Sequence, residues 1–307
     1  RVIVPGAPSR RLGALFLALA LPAVAPAQEL KPRAYWPAPT GTNLFFLGIG
    51  YQSGDIVTNP ALPIRDVDSR IVNGAVGFQR TTNLFGRTSN FRVEIPMADG
   101  TTSGQVEGLS GRRDVSGLGD IAATLSVNLL GAPAMNVEEF QAFRERPEPI
   151  LAAGLKILAP TGEYEEDRLI NISTNRWAAR LRLGYIQPLA RRWLLEVSAG
   201  TWFFQDNDEF LGRTLSQRPL SAVDASLVHR FAPGFWASLD STYFFGGRTS
   251  VAGEGQADFQ RNARLGLSVS WPFHRRQILK FSVSTGVDTN VGGDFDAIAL
   301  NYIVRVD

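Results

Sequence analysis

The sequence predicts an all-β fold: a closed antiparallel transmembrane β-barrel of about twelve strands, with short periplasmic turns and longer extracellular loops. Three observations predict it. About a dozen segments of ten to fourteen residues alternate apolar and polar side chains, the connections between them alternate between short and long, and the chain opens with a secretory leader.

The leader comes first. Arg10-Arg11 precedes the apolar run Leu12 to Leu21, and Ala25-Pro26-Ala27 provides a small-x-small cleavage site before Gln28. The run is about half as long as a membrane-spanning helix requires. Residues 1–27 therefore read as a signal peptide, 28–42 as an extended Pro-rich segment, and 43–307 as the barrel. The formal charge of the whole chain is +2, but residues 1–27 hold three arginines and no acid. The remaining 280 residues carry 28 basic and 29 acidic side chains, so the basic character belongs to the leader and a nucleic-acid partner is not expected. With no Cys and only 2 His, disulfides and Cys/His zinc clusters are excluded, and no cofactor is implied.

The strands are placed at about 43–52, 70–82, 89–99, 118–131, 150–160, 175–188, 192–204, 218–231, 235–246, 259–272, 276–289 and 294–306. Trp177, Ala179, Leu181, Leu183 and Tyr185, for example, alternate with Arg176, Ala178, Arg180, Arg182 and Gly184. Successive side chains of a strand point to opposite faces, so each segment offers one face to lipid and one to water. Strands of a soluble sandwich run nearer five or six residues, whereas ten or more, tilted, match a hydrocarbon layer. Only closure of the sheet satisfies every backbone hydrogen bond in lipid. A secreted soluble β-barrel or propeller is the alternative fold.

The connections are consistent with a periplasmic N-terminus. Tight turns fall at Asn83-Leu84-Phe85-Gly86, Leu189-Ala190-Arg191, Ala232-Pro233-Gly234 and Phe273-His274-Arg275, and longer loops at 53–69, 100–117, 161–174, 205–217 and 247–258. The connection Asn290 to Gly293 is short although it belongs to the long set. Residues 132–149 form an unusually long turn, in which Asn136 and Glu139 have capping-box spacing and Val137, Phe140 and Phe143 share a side. That pattern predicts a short helix covering the lower rim of the barrel, with a partner-docking helix as the alternative. Trp177, Tyr185, Trp193 and Trp271 have the lipid-facing parity of interfacial girdles. Trp202 and Trp236 have the opposite parity, which implies either a register-shifting bulge or a narrowed lumen.

The polar parity puts Arg92, Glu94, Asp120, Lys156, Arg180, Arg182, Glu196, Asp224, Asp240, Arg264 and Lys280 inside. An Arg or Lys facing the bilayer midplane costs about 2–4 kcal/mol, so these charges belong in the lumen. Their mixed sign suits a narrow aqueous path or a lumen cross-linked by ion pairs, rather than a strongly ion-selective pore. Arg180 and Arg182, two residues apart, are the best pair for holding a carboxylate or phenolate.

An enzymatic reading has one foothold. His229 and Ser241 share the lipid-facing parity on successive strands, but His229 lies near the periplasmic turn, on the wrong side for outer-leaflet chemistry. The expectation is that the chain is not an enzyme and has no catalytic residues. Asp206-Asn207-Asp208-Glu209 lacks the Gly-bearing spacing of a calcium loop, and no metal site is assigned.

Several motifs resemble one known family. They are Glu29-Leu30-Lys31-Pro32-Arg33-Ala34-Tyr35, Gly117-Leu118-Gly119-Asp120, Ala159-Pro160-Thr161-Gly162-Glu163-Tyr164 with Arg168-Leu169-Ile170-Asn171, and Asn175-Arg176-Trp177. Trp202-Phe203-Phe204 with Asp206-Asn207-Asp208, Phe235-Trp236-Ala237-Ser238-Leu239-Asp240, Gly246-Gly247-Arg248-Thr249 and Asp294-Phe295-Asp296 complete the set. Together they resemble the outer-membrane transporters named for the MetA pathway of phenol degradation. The resemblance implies a bacterial outer-membrane barrel that admits aromatic or other hydrophobic compounds, and it carries over no functional residues. Barrels of this kind tend to end in an aromatic residue read by the assembly machinery, whereas this chain ends Arg305-Val306-Asp307.

The expected function is a passive channel or transporter for small organic solutes, with outer-membrane lipid, those solutes and the barrel-assembly machinery as partners. A structural or adhesive barrel with an ion-pair-plugged lumen is the alternative, and a lipid-modifying enzyme a third.

Overall fold

The computed structural model describes residues 32–58, 64–106 and 109–306, with the proposed leader and residues 28–31 outside them. Among these residues are seventeen strands and one helix. The first three strands are β1 (Asn43–Val57), β2 (Ile64–Leu84) and β3 (Arg87–Val106), followed by β4 (Leu109–Leu118) and β5 (Ala122–Leu130). Then come α1 (Val137–Glu145), β6 (Ile150–Leu158), β7 (Ala178–Ala190), β8 (Trp193–Phe204), β9 (Asn207–Phe210) and β10 (Arg213–Gln217). The chain continues through β11 (Leu220–Ala232), β12 (Phe235–Gly246), β13 (Thr249–Val251), β14 (Glu254–Gly255), β15 (Gln260–His274), β16 (Gln277–Thr289) and β17 (Gly292–Val306).

The large sheet is antiparallel and closes on itself. β1 pairs with β17 from Asn43 opposite Val306 to Val57 opposite Gly292, and β2 pairs with both β1 and β3. β4 and β5 are two lengths of one barrel strand, since β3 holds β4 at Met97–Leu118 and β5 at Glu94–Ala122. The barrel therefore has twelve strands, and the remaining four short ones form a separate sheet in the order β14-β13-β10-β9. With an even strand number both ends of the barrel, Asn43 and Val306, lie on the short-turn side, which is the periplasmic side of such barrels.

The outward face is apolar. Leu47, Leu125, Leu181, Leu239, Leu267 and Leu300 are all exposed, as residues that meet lipid must be. Aromatic pairs ring the periplasmic edge: Phe45 with Phe78 at 5.0 Å, Phe231 with Phe235 at 4.8 Å, and Trp271 with Phe273 at 6.0 Å between centroids. Trp177, Tyr185, Trp193 and Trp271 face outward with them. Trp202 and Trp236 are buried inside, in unbroken register with Arg180 and Ser270 respectively, so no bulge turns them out and they narrow the lumen.

Two stretches read as loops are strands. Residues 53–57, 64–69, 100–106 and 109–117 continue the ladders of β1 to β4. Above the membrane both faces of a hairpin meet water, so the apolar alternation lapses while Thr and Ser still favour extended backbone. Residues 205–217 and 247–258 contain β9, β10, β13 and β14, the small sheet over the extracellular mouth, with Phe210, Leu215 and Val251 as its core. The short connection before β17 is a tight turn at Gly292 (φ 105°), tied down by Asn290 donating to Asn262 Oδ1 and Phe259 O.

The break between β4 and β5 is built by the sequence. Gly117 has φ 153°, and the chain then swings Gly119 N back to Pro96 O at 2.9 Å. A Cβ on Gly162 would lie 2.6 Å from the Gly119 carbonyl carbon, so the 159–177 loop folds tightly over the break. Asp120 holds that loop, accepting from Ser173 Oγ at 2.6 Å, Gly162 N at 3.1 Å and Thr174 N at 3.2 Å. Loss of buried hydrogen bonds to a carboxylate costs about 1.5–3 kcal/mol each before relaxation. Asp120→Ala should therefore expose 162–174 to protease while the barrel persists, and a protease-resistant loop in that variant would refute the anchoring role.

The helix forms as its capping box predicts. Asn136 Oδ1 accepts from Glu139 N at 2.9 Å, and Glu139 Oε2 accepts from Asn136 N at 2.8 Å. α1 turns Phe140 and Phe143 toward the lumen, and Phe143 meets Trp36 at 5.8 Å.

Candidate functional site: the lumen

The lumen divides into three tiers. The periplasmic tier is filled. Residues 32–36 fold into it, and Tyr35 packs with Ile150, Ile186, Leu194, Val228 and Trp236 of the wall. Its ring occupies a cradle made by two glycines of neighbouring strands: a Cβ on Gly154 would lie 3.0 Å from the Tyr35 hydroxyl, and one on Gly184 would collide with the ring. Asn128 Nδ2 donates to Tyr35 O at 3.1 Å. Arg33 N donates to Glu196 Oε2 at 2.7 Å, and its guanidinium stacks 3.9 Å over Trp36. Burial pulls the Arg33 pKa down to about 10, against the raising effect of Glu196, so it stays a cation at neutral pH.

The middle tier holds the charges. Glu94 receives Arg92 at 2.8 Å and Lys156 at 2.5 Å. Arg182 pairs with Asp224 at 2.7 Å and donates to Ser198 Oγ. Glu196 faces Arg33 as described. Asp240 accepts from Ser238 at 3.1 Å and Ser268 at 2.8 Å, Arg264 donates to Phe295 O at 2.7 Å, and Lys280 Nζ lies 5.7 Å from the Trp236 ring. Asp120 sits apart from this belt, committed to the 162–174 loop.

The structure separates the arginine pair that sequence spacing suggests. Arg182 is held by Asp224, while the Arg180 guanidinium lies 5.0 Å over the Trp202 ring. They do not converge on one ligand position.

The extracellular tier is apolar. Ala122, Leu158, Ala178, Trp202, Leu220 and Phe244 form a buried cluster on the inner wall, with Phe204 and Ala222 against it. Ala122, Leu158, Ala178 and Phe204 stand opposite one another on four consecutive wall strands. Arg176 enters this tier just before β7. Asn175 adopts φ 51°, with its amide nitrogen on Glu209 Oε2 at 2.7 Å, and this left-handed turn sends Arg176 inward and Trp177 outward. Arg176 lies 4.7 Å over Phe204 and donates to Gln217 of the small sheet.

Arg33, Tyr35, Arg176 and Phe204 escaped assignment from the sequence, whereas the parity of Trp202 marks it, in the absence of a bulge, as a residue that narrows the lumen. Arg176 shares the parity of Arg180, which was the available signal; nothing local marks Tyr35, whose cradle is made by residues over a hundred positions away. His229 joins the girdle, 4.5 Å from both Trp193 and Phe231. It is opposite Ala237 while Ser241 is opposite Ala225, a separation of about 13 Å along the strand, so the two form no dyad. Of the acids of 206–209, Asp208 accepts from Thr214 and Glu209 from Asn175, while Asp206 is exposed.

A family model described as "Putative MetA-pathway of phenol degradation" matches residues 50–302. The chain belongs to this family. A search of curated proteins returns no match. Among solved structures, the chain is similar to an outer membrane channel from Pseudomonas putida F1 (20% identity, 91% of this chain and 100% of that one, TM-score 0.78). It is also similar to the beta domain of the Bordetella autotransporter BrkA (13% identity, 87% and 100%, TM-score 0.51) and to the transport unit of the autotransporter AIDA-I from Escherichia coli (9% identity, 96% of each, TM-score 0.50). At these identities the likeness establishes the fold alone; the closed twelve-strand barrel with its apolar outward face has its place in the bacterial outer membrane.

Proposed function

We propose that the protein is a passive outer-membrane channel for small organic solutes, aromatic or otherwise hydrophobic, closed at rest by residues 32–36. The observation that carries this reading is the apolar extracellular tier. A water-filled porin gains nothing from burying Trp202, Leu220 and Phe244 on its inner wall, whereas a site that takes apolar solutes out of water needs such a lining. The family description, with its link to phenol degradation, supports the same solute class.

Two measurements test it. Cells depleted of other porins and expressing the protein should accumulate radiolabelled toluene several-fold faster than cells without it, across an outer leaflet that resists such compounds. The refolded wild type in a planar bilayer should pass only a small ion current, reduced further by small aromatic acids. Unchanged toluene accumulation sinks the reading. It would favour a plugged structural barrel, to which the filled periplasmic tier and the buried Arg33–Glu196 contact already lend weight.

A further inference from the structure

Arg176 is a buried cation with donors to spare. Its side chain is 4% exposed, Nη2 donates to Gln217, and Nε and Nη1 have no hydrogen-bond partner. Buried N–H groups are almost always satisfied in native proteins, so two orphans on one guanidinium call for an acceptor from outside the chain. The neighbouring acids do not supply it. Asp120 spends its oxygens on Ser173, Gly162 and Thr174, and Asp206 is exposed. Both act on Arg176 through space only, and although burial lowers its pKa to about 10 it remains charged at neutral pH.

The surroundings specify the rest of the ligand. The Phe204 ring lies beneath the guanidinium and is followed along β8 by Trp202, nearly parallel to it (interplanar angle 16°, centroids 6.4 Å apart). Arg180 covers Trp202 in turn. A planar fork of donors matches a carboxylate in two-point geometry, and a pair of stacked rings matches an aromatic body. We propose that Arg176, with Phe204 and Trp202, forms a binding site for the carboxylate of small aromatic acids at the extracellular mouth of the lumen. This site rests on the channel reading and names a substrate class within it: acids are captured through Arg176, and the apolar tier receives the ring.

Benzoate is the probe, with benzyl alcohol as its uncharged counterpart, and binding to the detergent-purified full chain is read by calorimetry. The wild type should bind benzoate more tightly than benzyl alcohol, with an affinity that falls as salt rises. Arg176→Gln should weaken benzoate about 10- to 100-fold and leave benzyl alcohol nearly unchanged. Arg176→Lys keeps the charge but not the fork and should fall between. The gel mobility of the unheated barrel reports whether each variant folds. Should neither variant fold, the wild-type preference for benzoate over benzyl alcohol, and its salt dependence, decide alone. Equal binding of the two probes by the wild type, or undiminished benzoate binding by a folded Arg176→Gln protein, overturns the site. Toluene accumulation that depends on the protein, together with absent benzoate binding, removes the acid site and leaves the channel; benzoate binding without accumulation does the reverse.

Discussion

Gly184→Val should convert a barrel of low conductance into one that passes intermittent ion current. The Tyr35 ring lies directly where a side chain at Gly184 would project, against Cδ2 and Cε2, and its hydroxyl end lies over Gly154. Wall strands at this height are held by ladders on both sides, Gly184 between Ala152 and Ser198, so the wall cannot give way. The ring must leave instead. Overpacking a closely fitted site costs about 1–3 kcal/mol, comparable to what burial of one aromatic side chain contributes, so the docked state loses most of its preference for Tyr35. The Arg33–Glu196 contact and the packing of Trp36 on Phe143 would resist full release. Conductance should accordingly flicker rather than open fully, and adding Arg33→Ala should lengthen the open periods. Tyr35→Ala, which empties the cradle without crowding it, should raise conductance as well. The measurement is single-channel recording of wild type and variants refolded in parallel. Identical traces for wild type and Gly184→Val would mean that residues 32–36 are not the main resistance.

The parts of this molecule that sequence exposes are those governed by period. Lipid outside and polar groups inside force strict alternation within the bilayer, which is why the twelve barrel strands and the inward placement of residues such as Glu94 and Arg182 can be seen without coordinates. The same rule stops at the membrane surface, and there the hairpin extensions of β1 to β4 look like loops. The capping box of α1 is local and therefore legible; its role is not, because Phe140 and Phe143 meet residues 32–36 only through the closed fold. Gly117-Leu118-Gly119-Asp120 and Ala159-Pro160-Thr161-Gly162 are visible as separate motifs, but their contact across the β4–β5 break depends on the 40 or so residues between them coming back on themselves. Pairing also hides from parity. Parity puts Arg180 and Arg182 on one face, yet Asp224 on β11 and Trp202 on β8 draw them to different partners.

Glu94→Gln should be the most damaging single change in the middle tier, and Lys156→Met distinctly milder. Both residues are buried, and Glu94 bonds two cations, Arg92 at 2.8 Å and Lys156 at 2.5 Å. Removing one partner of a buried ion pair costs about 3–5 kcal/mol, mostly because the remaining charge keeps its desolvation penalty without its compensation. Glu94→Gln takes its carboxylate partner from a lysine whose side chain is 4% exposed, whereas the arginine, at 31%, can recover some hydration and also rests 3.8 Å over the Phe46 ring. Lys156→Met leaves Glu94 still bonded to Arg92, so less charge is stranded. The double variant Glu94→Gln/Lys156→Met should then be more stable than Glu94→Gln alone, an inversion that additive losses cannot produce. Urea titration of the refolded barrels, followed by tryptophan fluorescence, reads all four proteins on one scale. If Glu94→Gln and Lys156→Met cost the same and add in the double variant, the two groups act independently, and the middle tier is hydrated well enough that its charges need no partners. If the inversion appears, the charges at this height are fixed to one another in a poorly hydrated lumen, and a permeating solute must pass a lining that has no mobile charge to offer it.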